Sequence, residues 1–81
     1  MTNQDHDDET LDAQGLLCPL PVLRARKRLL GMQPGQVLRL IATDPAAIID
    51  VAHFCREAGH DLIGTKDLTQ GVTAYRIRRG D

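Results

Sequence analysis

Ala13-Gln14-Gly15-Leu16-Leu17-Cys18-Pro19-Leu20-Pro21-Val22 reads as the end of a strand, a tight glycine-bearing loop and the opening of a helix. Proline suits the first helical position, where its missing N–H has no partner to lose and its ring presets the helical angle. Cys18 is then the predicted N-cap, and Pro21 falls at the third helical position, where again no donor is needed. Leu17 and Val22 occupy the N′ and N4 positions of a hydrophobic staple. The helix is expected to run to Leu30 and stop at Gly31, with Pro34 beyond it.

Working outward, Thr10–Ala13 is a short predicted strand, and Gln36–Thr43 is a second. In the second, Leu38, Leu40 and Ala42 share one face, and Val37, Arg39 and Ile41 the other. Asp44-Pro45 repeats the X-Pro helix opening, so Ala46–Ala58 is a second predicted helix, closed by Gly59. Asp61–Asp67 and Val72–Arg79 are two strands joined as a hairpin through Leu68-Thr69-Gln70-Gly71. The order is β-α-β-α-β-β. Right-handed crossovers place both helices on one face of a four-stranded mixed sheet, giving an α/β two-layer sandwich.

The chain has 81 residues and a formal charge of −1, with one Phe, one Tyr and no Trp, so aliphatic side chains must fill a small core. No serine occurs, which excludes Ser/His/Asp catalysis. Asp5, Asp7, Asp8 and Glu9 crowd the start; without them ten basic residues face seven acidic ones, a balance of +3. Residues 1–8 are expected to form a disordered acidic tail, and residues 9–81 a single domain. There is no signal-peptide pattern and no run approaching the roughly 20 apolar residues of a membrane span. The expected location is the cytoplasm, with no membrane association, and the expected state is a monomer.

Cys18 is the leading candidate for chemistry. A helix N-terminus carries partial positive charge, which favours thiolate, the nucleophilic form. Gly15 lets the preceding loop turn tightly and leaves the sulfur accessible. Pro19 and Pro21 set the helix register beneath it. The unreactive reading is a small apolar residue that happens to cap a helix.

Cys55 differs. At about 100° per residue it falls on one arc with Ile48, Val51, Ala52 and Ala58, as a core thiol. The alternative is a disulfide switch between Cys18 and Cys55, for which a core-facing thiol is poorly placed. His53 and Cys55 project about 200° apart on the helix, so no metal site is expected from His53, Cys55 and His60.

Arg24, Arg26, Lys27 and Arg28 make the first helix basic, either as a solvated face or as a docking surface for an acidic partner or RNA phosphates. Arg26 stands apart, because its angular position falls among Val22, Ala25, Leu29 and Leu30. With two aromatic residues there is no stacking platform for bases, so direct sequence-specific nucleic-acid binding is not expected. The contrasting reading is a small basic module that docks RNA or a regulatory protein without covalent chemistry.

From about Thr10 to Arg79 the chain resembles the TusA/SirA family of small sulfur carriers. The likeness rests on Leu11-Asp12-Ala13, Gly15-Leu16, Cys18-Pro19-x-Pro21-Val22, Met32-Gln33-Pro34-Gly35, Ala42-Thr43-Asp44-Pro45-Ala46, Phe54-Cys55, Gly59-His60-Asp61-Leu62 and Tyr75-x-Ile77-Arg78. It implies the same β-α-β-α-β-β sandwich, and that Cys18 accepts sulfane sulfur as a persulfide. The implied partners are a cysteine desulfurase or rhodanese-type donor and a downstream sulfur acceptor, with no cofactor. Implied destinations are tRNA thiolation, sulfur oxidation or molybdenum-cofactor metabolism. Such a protein is a sulfurtransferase-type carrier rather than a stand-alone enzyme. Leu20 stands where tRNA-thiolation members carry Glu, which points toward carriers of other sulfur pathways.

Overall fold

A computed structural model describes residues 7–81. Its elements are β1 (Glu9–Ala13), α1 (Leu20–Leu30), β2 (Val37–Ala42), α2 (Ala47–Ala58), β3 (Asp61–Thr69) and β4 (Val72–Arg78). The sheet order is β1-β2-β4-β3, with β1 parallel to β2 and β4 antiparallel to both β2 and β3. The last strand is thus inserted between β2 and β3. Both helices pack on one sheet face, as expected. Their buried residues, including Ala25, Leu29, Val51 and Cys55, join Leu11, Leu38, Leu40 and Ile77 in one core.

Strand alternation explains that core. Leu38, Leu40 and Ala42 point to the helices and are buried, while Arg39 and Ile41 on the other face are half-buried. On this second face Arg39 lies directly opposite Arg76 across the β2–β4 ladder. Like charges in that position repel. Asp7 relieves them: its carboxylate is 2.8 Å from Arg76 and 4.0 Å from Arg39. Asp8 exchanges hydrogen bonds with Val37, its N–H donating to the Val37 carbonyl and its carboxylate accepting the Val37 N–H. The tail expected over residues 1–8 therefore gives up Asp7 and Asp8 to the folded body, and its remainder, 1–6, lies outside the described residues.

Both helices start later than the proline pattern predicts. Around Cys18, the Leu20 N–H donates to the Leu17 carbonyl at 2.8 Å, closing a turn ahead of the helix. The first helical bond then runs from the Leu23 N–H to the Pro19 carbonyl, so Pro19 is the N-cap and Cys18 precedes it. The Cys18–Pro19 peptide is cis. The expected staple does not form, since Leu17 is 67% exposed. Asp44 likewise heads a turn rather than capping α2, whose N-cap is Ala46.

Helix and strand ends follow glycine chemistry. Gly59 ends α2 in the left-handed region at φ 79°, and the next N–H, of His60, donates to the Cys55 carbonyl. The hairpin is tighter than expected: Thr69 pairs with Val72, leaving Gln70 and Gly71 as a two-residue turn with Gly71 at φ 77°. Among the described residues no helix is long and apolar enough to cross a membrane.

Candidate functional site

Parallel strands β1 and β2 end side by side, Ala13 opposite Ala42. The segments that follow them leave the same sheet edge, so the two X-Pro turns meet there. Gly15, at φ 81°, completes a turn in which the Leu16 N–H donates to the Ala13 carbonyl. Its own N–H donates to Thr43 Oγ1 at 2.9 Å, tying the first loop to the end of β2. The Cys18 N–H then donates to Asp44 Oδ2 at 2.6 Å, while Asp44 Oδ1 accepts the Ala46 N–H at 3.1 Å. One carboxylate thus clasps the starts of both helices.

Cys18 is exposed and lies at a groove of about 530 Å³ between α1 and α2. Val22, Leu23 and Phe54 give the groove an apolar wall; Arg26, Asp50, His53 and Glu57 supply its charged and titratable groups. Arg26 therefore joins Cys18. Arg24, Lys27 and Arg28 do not: they line a separate depression beside β1, where Arg28 pairs with Glu9 at 3.2 Å. The basic helix divides its charge between two surfaces.

The electrostatics at Cys18 run opposite to the expectation. Its thiol is held above the ordinary value of 9.0 by a hydrogen bond to the Asp50 carboxylate, then by loss of hydration and the negative charges of Asp50 and Asp44. Two carboxylates lie close to the sulfur, and the helix end begins beyond it. Cys55 is buried as expected, and burial, followed by the charge of Asp61, pushes its thiol up to about 11.

Sequence spacing missed Asp50, and read Asp44 only as a helix cap. The signal available for Asp44 was topological: two parallel strands, each followed by an X-Pro helix opening, bring those openings to one edge. For Asp50 no signal existed, since it is one acid among several on a helix. Cys18 Sγ and a carboxylate oxygen each from Asp44 and Asp50 lie within 4.8 Å of one another. This trio, rather than His53, Cys55 and His60, has metal-ligand proximity among the described residues. Both oxygens of Asp44 are already engaged by backbone N–H groups.

The family model for sulfurtransferase TusA matches residues 9–79. This chain belongs to the TusA family. It is 50% identical over 60 residues to a sulfur carrier protein TusA of Allochromatium vinosum, covering 74% of this chain and 79% of that one. It is also 51% identical over 61 residues to a putative sulfur carrier protein of Neisseria meningitidis serogroup A, covering 75% of this chain and 82% of that one. A crystal structure of a SirA-like protein from Desulfitobacterium hafniense superposes with a TM-score of 0.79 at 26% identity, covering 90% of this chain and 99% of that one. The TusA-family fold is the two-layer sandwich described above, and the family supports a sulfur-carrier role.

Proposed function

We propose that the chain accepts sulfur as a persulfide on Cys18 from a cysteine desulfurase or rhodanese-type donor and passes it to a cysteine of a downstream acceptor. The observation that carries this reading is the contrast in access. Of the two cysteines, Cys18 is exposed on a groove that a partner can enter, whereas Cys55 is buried.

In the accepting step the Cys18 thiolate attacks the terminal sulfur of the donor's persulfide. A bond forms between Cys18 Sγ and that sulfur, and the donor's own S–S bond breaks. The electron pair leaves with the donor's cysteine sulfur, which takes up the proton that Cys18 lost. One S–S bond replaces another, so no oxidant or reductant is consumed. The reverse exchange, with the acceptor's cysteine as nucleophile, unloads the carrier. The partner docks over the Cys18 groove, where Leu23 is exposed and Arg26 offers a cation, with Leu20 exposed two residues along the chain from Cys18. Sulfur oxidation, tRNA thiolation and molybdenum-cofactor metabolism are alternative destinations, and Leu20 bears on which partner accepts.

The test is incubation with a desulfurase and cysteine, followed by intact-mass measurement. One added sulfur atom is expected on the native chain and none on Cys18→Ser. No addition to the native chain, or addition to the variant, defeats the proposal.

A further inference from the structure

Asp44 and Asp50 both lie against Cys18 but are used differently. Asp44 gives one oxygen to the Cys18 N–H and the other to the Ala46 N–H, so it holds backbone in place. Asp50, in the first turn of α2, instead brings a carboxylate oxygen within 4.8 Å of the sulfur itself. The other charged or titratable groups around the groove are Arg26 on α1 and His53 and Glu57 on α2. For a nucleophile this is an adverse setting, because attack requires the thiolate and an adjacent carboxylate favours the thiol.

The geometry points to Asp50 as a gate on Cys18: its carboxylate, set beside the sulfur in the free protein, disfavours the attacking thiolate until a docked partner neutralises or displaces that carboxylate. This inference rests on the carrier reading for its purpose. Asp50 is placed to act, since it lines the same open groove as Cys18. Small diffusible sulfur donors and electrophiles meet a weak nucleophile. A protein donor that brings a cationic side chain to the groove rim meets a strong one. The proton released from Cys18 on docking ends on the departing donor sulfur, so the exchange stays balanced as written above.

The full chain tests this through Asp50→Asn, which removes the charge and keeps the shape, and Asp50→Glu, which keeps the charge. Iodoacetamide labelling of Cys18, followed by intact mass from about pH 6 to pH 10, reads the thiolate directly. Asp50→Asn is expected to move the labelling midpoint to lower pH and to speed labelling at neutral pH by at least about twofold, with Asp50→Glu close to the native profile. Asp50→Asn should also load faster from inorganic polysulfide, with a smaller gain from a persulfidated desulfurase. An unmoved or raised midpoint overturns the gate, and so does an equal gain with both donors. Should Asp50→Asn fail to fold, as judged by circular dichroism, Asp50→Ser is read by the same criteria. The labelling result does not depend on sulfur loading: a shifted midpoint in a protein that takes sulfur from neither donor upholds the control of the thiol and overturns the carrier reading instead.

Discussion

Cys18 and Cys55 are the same functional group in two settings, and the pKa of both thiols is raised, with a different leading cause in each. Cys18 is exposed, with carboxylates against its sulfur; Cys55 lies in the core, where lost hydration disfavours the charged form. The difference teaches that a raised thiol pKa does not by itself mean an inert cysteine. A partner that rearranges charge reaches Cys18 and reverses its condition. Only unfolding does the same for Cys55.

The largest expected effect is on sulfur acceptance. Cys18→Ser should abolish it, while Cys55→Ala should still take up one sulfur atom by intact mass. Equal loss in both variants would erase the distinction between the two thiols.

Next comes the core that shields Cys55. Leu40 is fully buried against the helices, and Leu40→Ala should cost about 3 kcal/mol in urea unfolding. The same variant should raise the labelling rate of Cys55 in proportion to its unfolded fraction. An unchanged Cys55 rate despite lost stability would show that local opening, rather than global unfolding, exposes that sulfur.

A smaller effect is expected at alkaline pH. Cys55 titrates at about 11 in the folded chain against an ordinary 9.0. The unfolded chain therefore binds fewer protons than the folded one between those values, and stability falls as pH rises through that window. Cys55→Ala should flatten this decline in chemical denaturation at several pH values. A slope unaffected by the substitution would mean that other groups govern alkaline unfolding.

The mildest effect lies on the acid side. His60 Nδ1 accepts the Gly80 N–H at 2.9 Å, and its imidazole is held below the ordinary 6.5 by burial, then by the charge of Arg79. The unfolded chain binds more protons near that value, so stability is lost as pH falls from about 6.5 toward the folded value. His60→Ala should remove this step, leaving Cys18 labelling at neutral pH unchanged. A labelling change would link the C-terminal anchor to the site.

The fold was legible because its punctuation is local. Two X-Pro openings, Gly59 and Gly71 mark element ends whose backbone angles few other residues supply, and alternation along β2 set Leu38, Leu40 and Ala42 on one face, which the structure buries. The placement of Cys18 at a helix start and of Cys55 in the core followed from the same local rules. The one-residue delay of α1 was not legible, because it depends on a turn closed by Leu17 and Leu20 ahead of the helix. Neither was the adverse charge at Cys18. Asp50 reaches the sulfur from the other helix, a contact set by strand pairing that no spacing within either segment encodes. Asp7 is a similar case, since its use became apparent only once β2 and β4 had set Arg39 opposite Arg76.

The clasp made by Asp44 has a mechanical consequence. With the Cys18 N–H tied to it and Pro19 following, the backbone beneath the sulfur is fixed, and only one side-chain torsion stands between backbone and Sγ. Sulfur held there would ride on a short, stiff hook rather than a swinging arm. Its travel would be a rotamer change of a few ångströms, set against the near-attack separation of about 3.5 Å that exchange requires. The reach must then come from the other protein, so donors and acceptors suited to this hook are those whose own cysteine sits on a loop long enough to enter the groove.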